Sequence, residues 1–354
     1  MVKINRSISY LDISMDVCDL VAAVDACDFA SARAIYQNGQ NSLRSNGSTR
    51  KLQEWATAGS NEEPHWGLYA AFFGNDSDWV DTFVRAGFDG TAPWTTIDAQ
   101  AQVVKKGVQS NLQVAYMFHE VDEAAEGVEE GETDAKIGAP HTVDEAAAIY
   151  FGPGCPAGNI ADVANKRAAS FGTLVTGPDG VCTAATNMAA GQALAALQDA
   201  ALKGDSAAFA AATKALEKAV VAIWAQATLT YAEELEEQVA AGSSTDEAKA
   251  EGTAFFRTIA PLVAQVAPQS ADAISVALAS PAKGVAAKVE AAVKPALEAY
   301  GITAAELGSL GSTSQCTLAA ASASPPTGGA AGLPAGAALA AALAAAAGAL
   351  ALLA

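Results

Sequence analysis

Two short runs in this chain place oxygen donors at the spacing a helix needs to grip a cation. The first is Tyr116-Met117-Phe118-His119-Glu120-Val121-Asp122-Glu123-Ala124-Ala125-Glu126. On a helix Tyr116, His119, Glu123 and Glu126 fall on one face, and Glu120 with Glu123, then Glu123 with Glu126, are three residues apart. The second is Tyr231-Ala232-Glu233-Glu234-Leu235-Glu236-Glu237, where Glu233 with Glu236 and Glu234 with Glu237 repeat the spacing and Tyr231 shares a face with Glu234. Hard cations take oxygen ligands and tolerate histidine, and a tyrosine phenolate suits ferric iron. Helical bundles build such sites from Glu and His on facing helices. Both runs also fall at the C-terminal ends of expected helices, where carboxylates oppose the macrodipole and repel one another. A bound cation would relieve that cost. The expected ligands are therefore His119, Glu120, Glu123 and Glu126 from the first run, and Tyr231, Glu233, Glu234 and Glu237 from the second. The plainer alternative is a pair of solvated acidic helix faces.

Composition narrows the partners. Among 354 residues, 39 are acidic and 20 basic, a net charge of −19. Nucleic acid and anionic lipid surfaces are disfavoured, because phosphate binding needs a basic face. Three histidines in all argue against a His-rich zinc or copper site. His65 and His141 read as packing or surface residues. The one Glu-x-x-His, Glu62-Glu63-Pro64-His65, contains a proline that a helix interior does not tolerate, which argues against a carboxylate-bridged di-iron oxidase. There is no GxSxG, HExxH, P-loop, EF-hand or GxGxxG signature in a suitable context, so no conventional enzyme is expected.

The elements that must hold these runs read as helices. Hydrophobic residues are 51% of the chain and much of that is alanine, the best helix former and a residue that lets helices approach closely. The expected fold is all-α, a two-lobed helical bundle divided into 8–155 and 156–310. Helices are expected over 8–34, 50–58, 97–127, 181–202 and 207–238, with a capping box at Thr142-Val143-Asp144-Glu145 opening a helix to Tyr150. Thr245-Asp246-Glu247-Ala248 opens another helix toward Ile259, and Pro261, Pro268, Pro281 and Pro295 read as breaks beyond it. The two Thr-containing starts each follow a loop after an acidic helix end, which reads as a diverged internal duplication. Eight aromatics between Trp66 and Trp94 read as core of the first lobe.

Five dispersed cysteines and three N-x-[ST] sequons, at Asn5, Asn46 and Asn75, point to disulfides in an oxidising compartment. Pairing is not readable from spacing; Cys18–Cys27 and Cys155–Cys182 are the expected bridges, with Cys316 left over. A Ser/Pro/Gly-rich spacer, 311–335, precedes an uncharged apolar run, 336–354. Small residues, a spacer and a greasy end are the pattern of a GPI-attachment signal, with Ser322, Ala323 and Ser324 as attachment sites. A retained transmembrane helix is the alternative. Residues 1–10 carry Lys3 and Arg6 but no apolar stretch, so a secretory signal is not read there, at odds with export.

Several blocks are similar to a known family. Ser14-Met15-Asp16-Val17-Cys18, Ala34-Ile35-Tyr36-Gln37-Asn38-Gly39-Gln40-Asn41-Ser42, Tyr69-Ala70-Ala71-Phe72-Phe73-Gly74, Trp79-Val80 and Asp144-Glu145-Ala146-Ala147-Ala148-Ile149-Tyr150-Phe151-Gly152 resemble the algal Fe-assimilating family of low-iron-inducible periplasmic proteins. The resemblance covers roughly residues 8–310. It implies a periplasmic, secreted or surface protein that assists iron uptake under iron shortage, with a response to high CO2 in some members. No ligand is carried over from it. Together with the acidic runs, it implies an iron-binding protein, for Fe3+ or Fe2+, that passes its cargo to a membrane iron transporter or ferroxidase system. The alternative from another class is an acidic coat or adhesion protein with no specific metal affinity.

Overall fold

The computed structural model describes residues 8–318 apart from 45, 153, 154, 156 and 157. The expected tail at 336–354, its attachment residues and the Asn5 sequon lie outside the described residues. Within them the chain is all-α apart from one small hairpin. The first half holds α1 (Ile8–Asp25), α2 (Phe29–Asn38), α3 (Leu52–Trp55), α4 (Pro64–Phe72), α5 (Trp79–Asp89), α6 (Ile97–Lys106), α7 (Gln113–Glu129) and α8 (Ala139–Phe151). Then come α9 (Ile160–Phe171), the antiparallel strands β1 (Leu174–Thr176) and β2 (Cys182–Ala184), α10 (Ala185–Lys203), α11 (Ser206–Ala241), α12 (Asp246–Val266), α13 (Pro268–Ala279), α14 (Val285–Ala299) and α15 (Ala304–Leu307).

Local chemistry explains most boundaries. The helix expected over 8–34 is two helices, because Cys27 takes a left-handed backbone (φ 59°) and the Asp28 carboxylate then accepts the Ser31 N–H at 2.9 Å, capping α2. The rod expected over 97–127 is continuous but not regular. Between α6 and α7 lies a turn of π-helix, Gly107–Leu112, which carries Gln109, Ser110 and Asn111 into the interior. Asn111 there donates to the Ala254 carbonyl of α12 at 2.9 Å. The Thr142 capping box is not a helix start. α8 opens at Ala139 with Pro140 in its first turn, where a missing N–H costs nothing. Thr245 does stand at the start of α12, so the two Thr-containing runs occupy different places in their helices. The segment 181–202 begins with β2 rather than helix. α12 runs through Pro261 and α14 through Pro295, and both helices bury an apolar face that includes Leu262 and Val293.

One apolar core takes in helices from both halves of the chain, from Val17 and Trp66 to Trp224 and Val289. The aromatic cluster is buried as its composition suggests, with Tyr69, Phe73 and Trp66 rings 4.9, 5.2 and 5.9 Å from Trp79. It also reaches the second half. The Tyr69 hydroxyl donates to the Thr258 carbonyl at 2.6 Å, and the Arg257 guanidinium lies 3.6 Å from the Phe73 ring centre.

The disulfides correct the expected pairing. Cys18 is joined to Cys155 and Cys182 to Cys316, while Cys27 is an exposed thiol. Cys27 sits only one turn beyond α1, where its tight left-handed turn points it to solvent. The bridges instead tie α1 to the end of α8, and the hairpin to the segment after α15.

Candidate metal centre on helix α7

Helix α7 is the polar spine of the molecule. Its residues Tyr116, His119, Glu120 and Asp122 are all buried, each meeting partners from a different direction. Glu120, 2% exposed, faces α8 and α1. The hydroxyls of Tyr10 and Tyr116 and the Glu145 carboxyl of α8 are its polar neighbours. His141, one turn before Glu145 on α8, places Nε2 3.5 Å from the Glu145 carboxylate. Trp55 stacks on Tyr116 with ring centres 4.0 Å apart, and Arg50 lies over the Tyr10 ring at 4.8 Å.

The electrostatics follow from burial. Desolvation, then the charges of Glu145 and Glu123, push the Glu120 carboxyl well above the usual range. Burial pushes Glu145 up to about 7, against the opposing pull of Arg50. Two carboxyls this close in a dry site cannot both ionise cheaply, so the pair holds a proton near neutrality. Burial alone lifts Asp144 to about 6. The set is rich in oxygen: two carboxyls and two phenols, with one imidazole at the edge. That is a donor set for a hard cation. Among the described residues, no group of three or more His, Cys, Asp or Glu side chains is placed to hold a metal ion.

The other expected ligands fall elsewhere. His119 turns away from Glu120 toward the start of α4, with Nδ1 2.8 Å from Glu63 and Nε2 3.8 Å from the exposed Glu123. Glu126 is exposed. In the second run Tyr231 is buried beside Glu251 of α12, with Glu234 half-buried nearby. Glu233 and Glu237 are exposed. Glu236 accepts the N–H groups of Gly284 and Ala286, capping the start of α14. The structure therefore brings Glu120 and Tyr116 together with Tyr10, Glu145 and His141, and separates them from Glu126, Glu233 and Glu237. Glu145 and His141 were legible as an i,i+4 pair on one helix face, but nothing local pointed that face at α7.

A second polar constellation sits on the opposite side of α7. His65 Nδ1 lies 2.6 Å from Asp122, whose other oxygen accepts the His65 backbone N–H at 2.8 Å. Nε2 is 3.3 Å from Glu217 of α11, and the imidazole stacks on Phe118 with ring centres 4.2 Å apart. Burial disfavours charge on His65, but the hydrogen bonds and charges of Asp122 and Glu217 outweigh it and raise the imidazole to about 9. His65 is thus an imidazolium clamped between two carboxylates, with both nitrogens occupied.

No described helix is long and apolar enough to cross a membrane. Neither a curated protein nor a solved structure matches the chain. A family model described as low iron-inducible periplasmic protein matches residues 5–326, which takes in every element above. On that match over most of its length, the chain belongs to the family of low iron-inducible periplasmic proteins.

Proposed function

We propose that this protein binds iron and assists its uptake when iron is scarce, doing no bond-making chemistry itself. The observation that carries the reading is the Glu120–Glu145 carboxyl pair on facing helices, Glu120 buried, with the Tyr10 and Tyr116 hydroxyls as its neighbours. Iron as cargo would take the place of the shared proton. In this reading Glu120 and Glu145 supply the carboxylate oxygens and Tyr10 and Tyr116 the phenol oxygens, with His141 beside Glu145 at 3.5 Å. The net charge of −19 draws cations to the molecule. Release to a membrane transporter or ferroxidase system follows in this reading, with a tail anchor at 336–354 keeping the protein beside it.

Titration of the purified protein with Fe(III) and Fe(II), with zinc and calcium as controls, tests the proposal. Stoichiometric, iron-selective binding is the expected result. The Glu120→Gln/Glu145→Gln double variant should bind at least about tenfold more weakly, the loss expected when charged ligands become neutral amides. Glu126→Gln and Glu237→Gln should bind as the parent does. Equal weak binding of all four cations, or unchanged affinity in the double variant, would sink this site.

A further inference from the structure

The second acidic run, expected to hold a cation, lies instead among cations. Lys105 and Lys106 end α6, and Lys166 and Arg167 sit side by side on α9. Arg167 is 3% exposed. Its guanidinium carbon lies 5.7 Å from the Tyr231 ring centre and 5.6 Å from that of Phe255, and Lys106 Nζ lies 5.6 Å from the same Phe255 ring.

The carboxylates around this spot are committed to other donors. Glu251 holds Lys106 Nζ at 3.1 Å, and its charge also bears on the Tyr231 hydroxyl. Glu247 accepts from Gln102 at 2.7 Å, and Glu234 from Gln238 at 3.1 Å. Among the described residues Arg167 has no ion pair, and its buried Nε has no hydrogen-bond acceptor. A guanidinium cannot shed its charge, and a buried charge with no contacting counterion is strongly unfavourable. Ring faces attract it but offer Nε–H no lone pair. Burial lowers both the Lys106 and Lys166 ammonium groups, Lys106 against the pull of Glu251 and Lys166 with the push of the adjacent Arg167 charge. What is lacking is an acceptor with negative charge and at least two oxygens, the shape a guanidinium fork takes best.

We propose that Arg167, flanked by Lys106 and Lys166, binds a small oxyanion, a phosphate or a carboxylate, against Tyr231 and Phe255. The site is separate from the Glu120–Glu145 pair and stands whether or not iron binds there.

Calorimetric titration of the full chain with inorganic phosphate, sulfate and acetate, at ionic strength held constant with chloride, tests it. The expected result is saturable one-site binding of at least one probe, with a rise in melting temperature at saturation. Phosphate and sulfate saturating without acetate marks a tetrahedral oxyanion; acetate alone marks a carboxylate. Arg167→Lys, which keeps the charge and loses the fork, should weaken binding by about tenfold, and Arg167→Met should abolish it. If Arg167→Met does not fold, Arg167→Lys and Lys166→Met carry the comparison. No saturation by any probe through the millimolar range overturns the proposal, and so does equal affinity in parent and Arg167→Lys.

Discussion

Replacing Cys18 and Cys155 together with serine will cost about 5 kcal/mol of stability, the loop-closure entropy of a bridge spanning 137 residues. At about 2.1 cal/mol/K per residue, a fold of roughly 300 residues loses about 8 °C in melting temperature for that energy. The Cys182–Cys316 bridge closes a loop of nearly equal length, 134 residues, and its removal should cost about as much by the same chain-entropy argument. The two effects arise in different loops of the unfolded chain, yet they will not add fully, because the loops lie close to end to end and each bridge also holds packing that the other shares. Calorimetry of the two double-serine variants against the parent measures both. A shift under about 2 °C for either would mean that its bridge does not constrain the unfolded chain as loop closure requires. The pairing itself has a separate check. In the native oxidised protein only Cys27 should react with iodoacetamide, whereas Cys18–Cys27 pairing would protect it.

Why the bridges could not be read in advance is plain from their geometry. Each joins residues more than a hundred positions apart, and no local pattern encodes such a contact. Proximity along the chain favoured Cys18–Cys27, but the left-handed turn at Cys27 directs it outward. Helix content was legible because alanine-rich 3.6-residue periodicity is local. The start of α11 could be read from Gly204-Asp205-Ser206: Gly204 takes a left-handed φ of 64° and Asp205 caps Ala208 at 3.0 Å. The hairpin was missed because each strand is three residues long, too short for an alternating pattern to emerge from flanking helix. The π turn was missed because a single extra residue barely alters helical periodicity.

The candidate centre was half legible for the same reason. Glu120 and Tyr116 stand on one helix, so their spacing could be reasoned about. Glu145, His141 and Tyr10 arrive from α8 and α1 through tertiary packing. The electrostatic argument that acidic helix ends call for a bound cation also meets a competing solution in the second run. There Lys106 and Arg167, from distant helices, place positive charge beside Tyr231 and Glu251. Net charge summed along the chain does not reveal such local neutralisation.

His65→Gln should be the most destabilising single polar substitution on α4, and its effect should depend on pH. The imidazolium is held between Asp122 and Glu217 with only 8% of its side chain exposed. Glutamine retains hydrogen-bonding capacity but leaves the buried Asp122 and the half-buried Glu217 carboxylates without a cation. Breaking a buried pair in this way costs about 3–5 kcal/mol, or roughly 5–8 °C on the per-residue entropy used above. The sign of the pH dependence follows from the direction of the shift. His65 is raised from 6.5 to about 9 on folding. The folded state therefore binds the proton more tightly than the unfolded state, and the charged imidazole stabilises fully below pH 6.5. That contribution falls as pH rises toward 9 and is lost above it. At about 1.4 kcal/mol per unit, the part that disappears is on the order of 3 kcal/mol. Melting curves of parent and variant at pH 6, 7.5 and 9.5, chosen as roughly bracketing these values, should show a gap that is widest at the lowest pH and narrows by more than half at the highest. Glu145 and Asp144, raised to about 7 and about 6, titrate in both proteins, and their effect cancels in the difference. A gap that stays constant across the series would show that His65 contributes through packing on Phe118 alone, and that Asp122 and Glu217 do not hold it charged.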